Sequence, residues 1–313
     1  MTICIGDRGE RGNMNKSSKQ ESVKQWLKRY PMLVRIKRAW DTLLLDPDAR
    51  DRETVNRLPL FAPNSAGSPE ALAKLTFLSA NQTFPFIVQF LNEIGRGRLS
   101  DAVQAESFCS DEKSKSSASQ LKHLFDNYGS DKASVHNYHH IYGTILKDVD
   151  SVTAVLEIGL GSNNEDVVSN MGRAGKPGAS LRAFRDHLPK ANIYGADLDK
   201  RILFEEDRIK TFFVDQTDPS SFDALGQNVG QNFDLIIDDG LHSPHANIAV
   251  LTFSLKRLKH GGWVVVEDIV ERALPVWEVI AALLPPDYEP QLISGRAAMV
   301  FAVRRGTGPG DCR

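Results

Sequence analysis

The run Thr153-Ala-Val-Leu-Glu-Ile-Gly-Leu-Gly161 constrains this chain more than any other stretch. It is short and apolar, carries β-branched residues, and stops on two glycines one residue apart. Such a run reads as a buried parallel strand. It is apolar on both faces because helices cover both, and its glycines let the backbone approach a ligand at the strand end. Glu157 is the exception. A carboxylate inside such a run is costly unless something there uses it.

From Leu121 onward the pattern alternates between helix and strand. Helical spacing over 119–127 and 136–148 leads into a strand at 153–159. A helix over 180–188 and strands at 192–197 and 211–215 follow. Next come a helix over 219–226, a strand at 233–238, and a helix opened by Ser243-Pro244 and running to Leu258. Gly261-Gly262 is expected to end that helix before a strand at 263–267. A helix over 272–284 and two segments, 288–293 and 298–303, close the pattern as a hairpin. Strand–helix alternation with short connections predicts an α/β fold with a doubly wound, mostly parallel sheet.

The first hundred residues are organised differently. Residues 1–20 are polar and read as disordered, with Met14 as a second candidate start. Residues 21–45 have apolar positions near helical spacing, interleaved with basic residues. The solvated face of a packing helix and a partner- or membrane-binding amphipathic helix both fit that pattern. The prolines between Asp46 and Gly67 suggest a loop. Ser68-Pro69 then caps a helix to about Leu78, and a second helix is expected over 85–94. The expected organisation is thus a helical accessory region over 21–99, a Ser-rich linker over 100–119, the α/β domain over 120–305 and a tail over 306–313.

Composition narrows the partners. The net charge of −2, from 38 basic and 40 acidic side chains, gives no basic footprint for nucleic acid. The three cysteines are scattered, which suits a reducing cytoplasm better than a disulfide framework or zinc site. No apolar run approaches the ~20 residues of a membrane span.

In doubly wound sheets ligands bind outside the carboxyl ends of the strands. Here those ends are Glu157-Ile-Gly159-Leu-Gly161, Asp197-Leu-Asp199, Asp215-Gln216, Asp238-Asp239-Gly240 and Glu267-Asp268. The first three suit a positively charged nucleoside without phosphate. An acid at the second strand end can accept both ribose hydroxyls, and an acid or amide at the third can read an adenine amino group. A phosphate loop fits poorly, because the segment from Gly161 to Ser180 is too long and polar for the compact glycine turn. Asp239, Glu267 and Asp268 offer oxygen ligands for a hard cation such as magnesium. His242, three residues beyond Asp239, suits a general base, since imidazole titrates near neutrality.

With these residues stand Tyr128-Gly-Ser-Asp-Lys132, His136 and Tyr138, then Gly195-Ala-Asp-Leu-Asp199, Asp234–His242 and Gly261–Ile269. In this combination residues 121–303 resemble class I S-adenosylmethionine (SAM)-dependent methyltransferases. The likeness is closest to the metal-dependent sugar O-methyltransferases of the macrocin and mycinamicin type. The resemblance implies a Rossmann-like, seven-stranded sheet ending in an antiparallel hairpin. It implies that Lys132, His136, Tyr138, Glu157, Gly159, Gly161, Asp197, Asp215, Gln216 and Asp238 hold SAM, and that Asp239, Glu267 and Asp268 hold Mg2+. His242 would be the base, and the acceptor a hydroxyl of a sugar, glycan or glycosylated metabolite. Residues 1–100 carry no part of the likeness, and a homo-oligomer contact is one use for them. A SAM-binding interaction protein and a nicotinamide-dependent oxidoreductase are the competing readings.

Overall fold

The alternation of side chains along each strand decides how the sheet is covered. The computed structural model describes residues 46–306. The expected disorder over 1–20, the helix over 21–45 and all but the first residue of the 306–313 tail lie outside them. The described residues divide into two compact units, with the boundary between Thr83 and Phe84.

In the first unit, α1 (Ala49–Arg57) replaces the loop expected between Asp46 and Gly67. The prolines flank this stretch rather than interrupt it, and Pro59 opens a short 3-10 turn. None of the residues of α1 is buried, and pairs such as Glu53–Arg57 at i,i+4 support it locally. Ser68 caps α2 (Pro69–Glu93) as expected, its Oγ accepting the Ala71 N–H at 3.2 Å. However, α2 continues past the unit boundary at Thr83 and through Pro85, so the two expected helices are one. A proline inside a helix costs ~3 kcal/mol, and the long run of helix formers on either side outweighs it.

The second unit holds β1 (Val103–Gln104), α3 (Ala105–Phe108) and α4 (Glu112–Tyr128) where a linker was expected. Two of the serines there are packing residues. Ser114, Ser117 and Ala118 are buried on α4. A Cβ on Gly143 would come within 2.5 Å of the Ala118 backbone. Small side chains let the two helices approach closely.

The rest follows as α5 (Asp131–Ser134), α6 (His139–Ile145), β2 (Ala154–Ile158), α7 (Ala179–His187), β3 (Asn192–Asp197), β4 (Glu205–Glu206), β5 (Ile209–Phe213) and α8 (Pro219–Val229). Then come β6 (Phe233–Asp238), α9 (Pro244–Leu255), β7 (Leu258–Ile269), α10 (Leu274–Leu283), β8 (Tyr288–Ser294) and β9 (Met299–Arg305).

The sheet has nine strands in the order β1-β8-β9-β7-β6-β2-β3-β5-β4, not seven. The two additional strands are the two-residue edges β1 and β4. The pairs β7–β6, β6–β2, β2–β3 and β3–β5 are parallel, while β8 and β9 pair antiparallel with β9 lying against β7. Val155, Leu235, Ile237 and Val265 face one side, with Leu121, Phe125, Tyr142 and Phe184 of α4, α6 and α7. Leu156, Ile236, Val264 and Val266 face the other, with Phe222, Val250 and Trp277 of α8, α9 and α10. Both faces are buried, as the apolar strands require.

Two boundaries move. β7 begins at Leu258 and runs through Gly261-Gly262, with a register irregularity against β6 between Phe233 and Leu235. β5 ends at Phe213, which leaves Asp215 and Gln216 in the loop after it. Among the described residues no helix is long and apolar enough to cross a membrane.

Candidate active site

Strand β2 is the switch point of the sheet. It pairs with β3 on one side and β6 on the other, so the connections leave its carboxyl end in opposite directions and a crevice opens. A cavity of about 290 Å³ lies there, lined by the loops after β2, β3, β5 and β6 and by Asp268 near the end of β7. Gly159 is what allows those loops to meet. It sits at φ +96°, and a Cβ in its place would lie 2.0 Å from the Asp239 carbonyl oxygen.

Of the residues expected to hold SAM, Gly159, Gly161, Asp197, Asp215 and Gln216 line this cavity. Asp197 accepts the Leu160 N–H at 2.7 Å through one oxygen and the Asp199 N–H at 2.8 Å through the other. Burial nevertheless pushes its pKa above the usual value. Asp199 is turned away to cap the next turn and to bind Ser162, Asn164 and Arg201. Asp215 accepts from the Thr217 N–H and hydroxyl. Gln216 bridges two loops, its Oε1 accepting the Leu241 N–H and its Nε2 donating to Asp238, both at 2.8 Å.

The segment after Gly161 also belongs to the cavity wall. Val167, Val168, Ser169, Asn170 and Met171 line it. The Ser169 hydroxyl donates to the Gly240 carbonyl at 2.6 Å, and the Met171 N–H donates to Ser162 at 2.8 Å. Sequence reasoning missed these residues and used the segment only to argue against a phosphate loop. The available signal was Val167, Val168 and Met171 in an otherwise polar connection. Leu198 and Leu241 were missed too, whereas Asp131, from the 131–138 segment that the resemblance implies closes over the cofactor, does line the cavity.

Other expected ligand residues face inward and hold one another. Lys132 is buried, and its Nζ lies 2.7 Å from Asp239 Oδ2, 2.7 and 2.8 Å from the two oxygens of Glu267, and 3.1 Å from Glu157 Oε1. Tyr142 donates to Glu267, and Ser180 donates to Glu157. Burial works against the ammonium, but the carboxylates outweigh it and hold Lys132 well above its ordinary value. Burial raises Glu157 and Glu267, with Lys132 opposing it in both. Asp238 is likewise wholly buried, accepting from Gln216 and Asn247, and burial pushes it up to about 6. Lys132, Glu157, Asp238 and Glu267 are therefore absent from the cavity wall.

The candidate donors for a cation regroup accordingly. Ligand atoms of Asp239, His242 and Asp268 lie within 4.8 Å of one another, and Glu267 is outside that group. His242 Nε2 is 3.7 Å from Asp239 Oδ1 and 3.7 Å from Asp268 Oδ2. Both His242 (φ 51°) and Asp268 (φ 57°) are in the left-handed region, a strain that surrounding structure must hold in place. His136 and Tyr138 stand behind Asp268. The Tyr138 hydroxyl donates to its Oδ1 at 2.7 Å, and His136 Nδ1 is 3.4 Å from the same oxygen.

No protein-family model matches the chain. A rhamnosyl-tetracenomycin-C 2'-O-methyltransferase of Streptomyces olivaceus is 30% identical over 152 residues, which are 48% of this chain and 38% of that protein. The mycinamicin VI 2''-O-methyltransferase of Micromonospora griseorubida is 32% identical over 116 residues, 37% of this chain and 27% of that protein. The chain resembles sugar O-methyltransferases. It matches well under half the length of these relatives. The mycinamycin-pathway methyltransferase MycE, solved with Mg, SAH and mycinamycin VI, is similar at 23% identity over 61% of this chain and 54% of its own, with a TM-score of 0.49.

Proposed function

We propose that this protein is a SAM-dependent, Mg2+-dependent O-methyltransferase acting in the cytoplasm on a sugar hydroxyl of a glycan or glycosylated metabolite. The observation that carries this reading is one cavity that holds Asp197 at one strand end and Asp239, His242 and Asp268 at the others. Its volume is near the lower end of the ~300–1,000 Å³ usual for small-molecule sites. The relatives' names supply the acceptor class, a hydroxyl on an attached sugar.

The residues present fit both groups. Asp197, Asp215 and Gln216 border the cavity where a nucleoside would lie. Two carboxylates, each with one oxygen toward His242, form an oxygen donor set compatible with a hard divalent ion. Asp239 and Asp268 would hold that ion. When bound, the ion would lower the pKa of a hydroxyl beside it, and SAM would supply an already activated methyl group.

The chain's own work is alignment and proton removal. Asp197 and the residues after β5 fix the donor, and the cavity wall at 167–171 limits water. His242, at the junction of the two carboxylates, takes the acceptor proton on an imidazole nitrogen, an effect of typically ~10²–10⁴-fold. Holding acceptor and methyl in line supplies much of the remainder.

Calorimetric titration of the EDTA-treated protein with S-adenosylhomocysteine, with NADH, and then with magnesium present tests this reading. Binding of the homocysteine nucleoside without an NADH signal, followed by metal-dependent methyl transfer to a glycoside, is expected. Absence of nucleoside binding would refute the methyltransferase assignment.

A further inference from the structure

Each carboxylate of the cation group has one oxygen already committed. Asp268 Oδ1 accepts the Tyr138 hydroxyl at 2.7 Å, while its Oδ2 faces His242. Asp239 Oδ2 accepts from Lys132 at 2.7 Å, while its Oδ1 faces His242. Both anchors come from the stretch 132–138 around α5, and both leave the carboxylate a single oxygen toward the cavity. Tyr138 is buried, and its ring lies against His136 at 5.0 Å, so the hydroxyl has a fixed position.

The geometry points to Tyr138 as a positioning residue that confines Asp268 to one-oxygen ligation and thereby selects a small octahedral cation over calcium. The inference rests on the cation reading above. Magnesium demands near-ideal octahedral geometry, keeps several waters and needs only one or two carboxylates. Calcium takes six to eight oxygens and readily uses both oxygens of one carboxylate. A carboxylate pinned at one oxygen offers magnesium what it needs and denies calcium its two-oxygen grip. Removing the pin leaves that oxygen only His136 Nδ1, 3.4 Å away and not hydrogen-bonded to it, and so loosens Asp268.

The test is Mn2+ binding to the metal-stripped full chain, read as the free-ion signal by electron paramagnetic resonance, with Mg2+ and Ca2+ as competitors. Tyr138→Phe keeps the ring and removes only the hydroxyl, and Tyr142→Phe is the matched control. Tyr142 is equally buried and donates to Glu267, which is outside the cation group. In Tyr138→Phe the preference for Mg2+ over Ca2+ is expected to fall by about tenfold, the scale of an outer partner's effect on metal affinity. Tyr142→Phe should leave the preference unchanged. An unchanged ratio in Tyr138→Phe, or the same fall in Tyr142→Phe, would overturn the inference while leaving the cation site standing. Wild-type protein that binds no Mn2+ would overturn the cation reading and this inference with it.

Discussion

Replacing Lys132 with methionine isolates a buried cation that faces three carboxylates. The side chain is 2% exposed and stands among Glu157 and Glu267, at 0% and 2%, with Asp239 partly exposed beside them. Methionine fills much of the same volume but leaves the two buried carboxylates without a counter-charge. Breaking a buried ion pair from one side costs about 3–5 kcal/mol. A domain of this kind is held by only ~5–15 kcal/mol, so the variant should be marginal near pH 8. The orphaned acids can escape by taking up protons. Their folded pKa values, already raised above 4.5, then rise further. A raised acid stabilises the fold below its unfolded pKa, and that contribution is lost as pH climbs through the folded value. The Lys132→Met penalty should therefore be smaller near pH 5 than near pH 8. Urea unfolding followed by far-ultraviolet circular dichroism at the two pH values measures it. The double variant Lys132→Met/Glu267→Gln, which removes one orphan, should recover roughly half of the ~4 kcal/mol. A Lys132→Met protein within about 1 kcal/mol of wild type at pH 8 would refute the reasoning.

Three other outcomes can be checked. His242→Ala should lower turnover by ~10²–10⁴-fold while leaving S-adenosylhomocysteine affinity in place; undiminished turnover would remove His242 from proton transfer. Gly159→Ala should destabilise the fold by roughly 3 kcal/mol, because its new methyl group meets the Asp239 carbonyl at a positive φ; a melting temperature equal to wild type would contradict the close approach. His187 is buried against Ser117, and burial lowers its pKa from 6.5 to about 4. It is neutral in the folded state, so the stability it contributes is present above pH 6.5 and lost as pH falls toward 4, by up to about 3 kcal/mol. His187→Gln should flatten that part of the melting temperature against pH, and an unaltered slope would show that other groups carry it.

The strands were legible because burial on both faces leaves continuous apolar runs; β3 and β6 fall on the expected residues. The stretch 100–119 was illegible for the converse reason. Serine reads as solvated linker by composition, yet Ser114 and Ser117 are buried because small side chains permit tight helix packing. Pro85 misled in the same way, since a local rule about proline was outweighed by the helix around it. At the site, the acids could be found at the strand ends, but their partners could not. Nothing in the spacing shows that Lys132, far earlier in the chain, is enclosed by Glu157, Asp239 and Glu267. That pairing depends on how α5 docks over the sheet, which no local pattern encodes.

The irregularity of β7 between Val266 and Ile269, where Asp268 takes a positive φ, makes neighbours in sequence strangers in space. Glu267 closes onto Lys132 and Tyr142, and Asp268, one residue later, opens onto the cavity. The two acids look interchangeable on paper, yet one is bound into an interior salt network and the other is presented to solvent and solutes. Their drift in evolution should be decoupled accordingly. Asp268 answers to Tyr138 and to whatever occupies the cavity, whereas Glu267 can change only in step with a lysine 135 residues away.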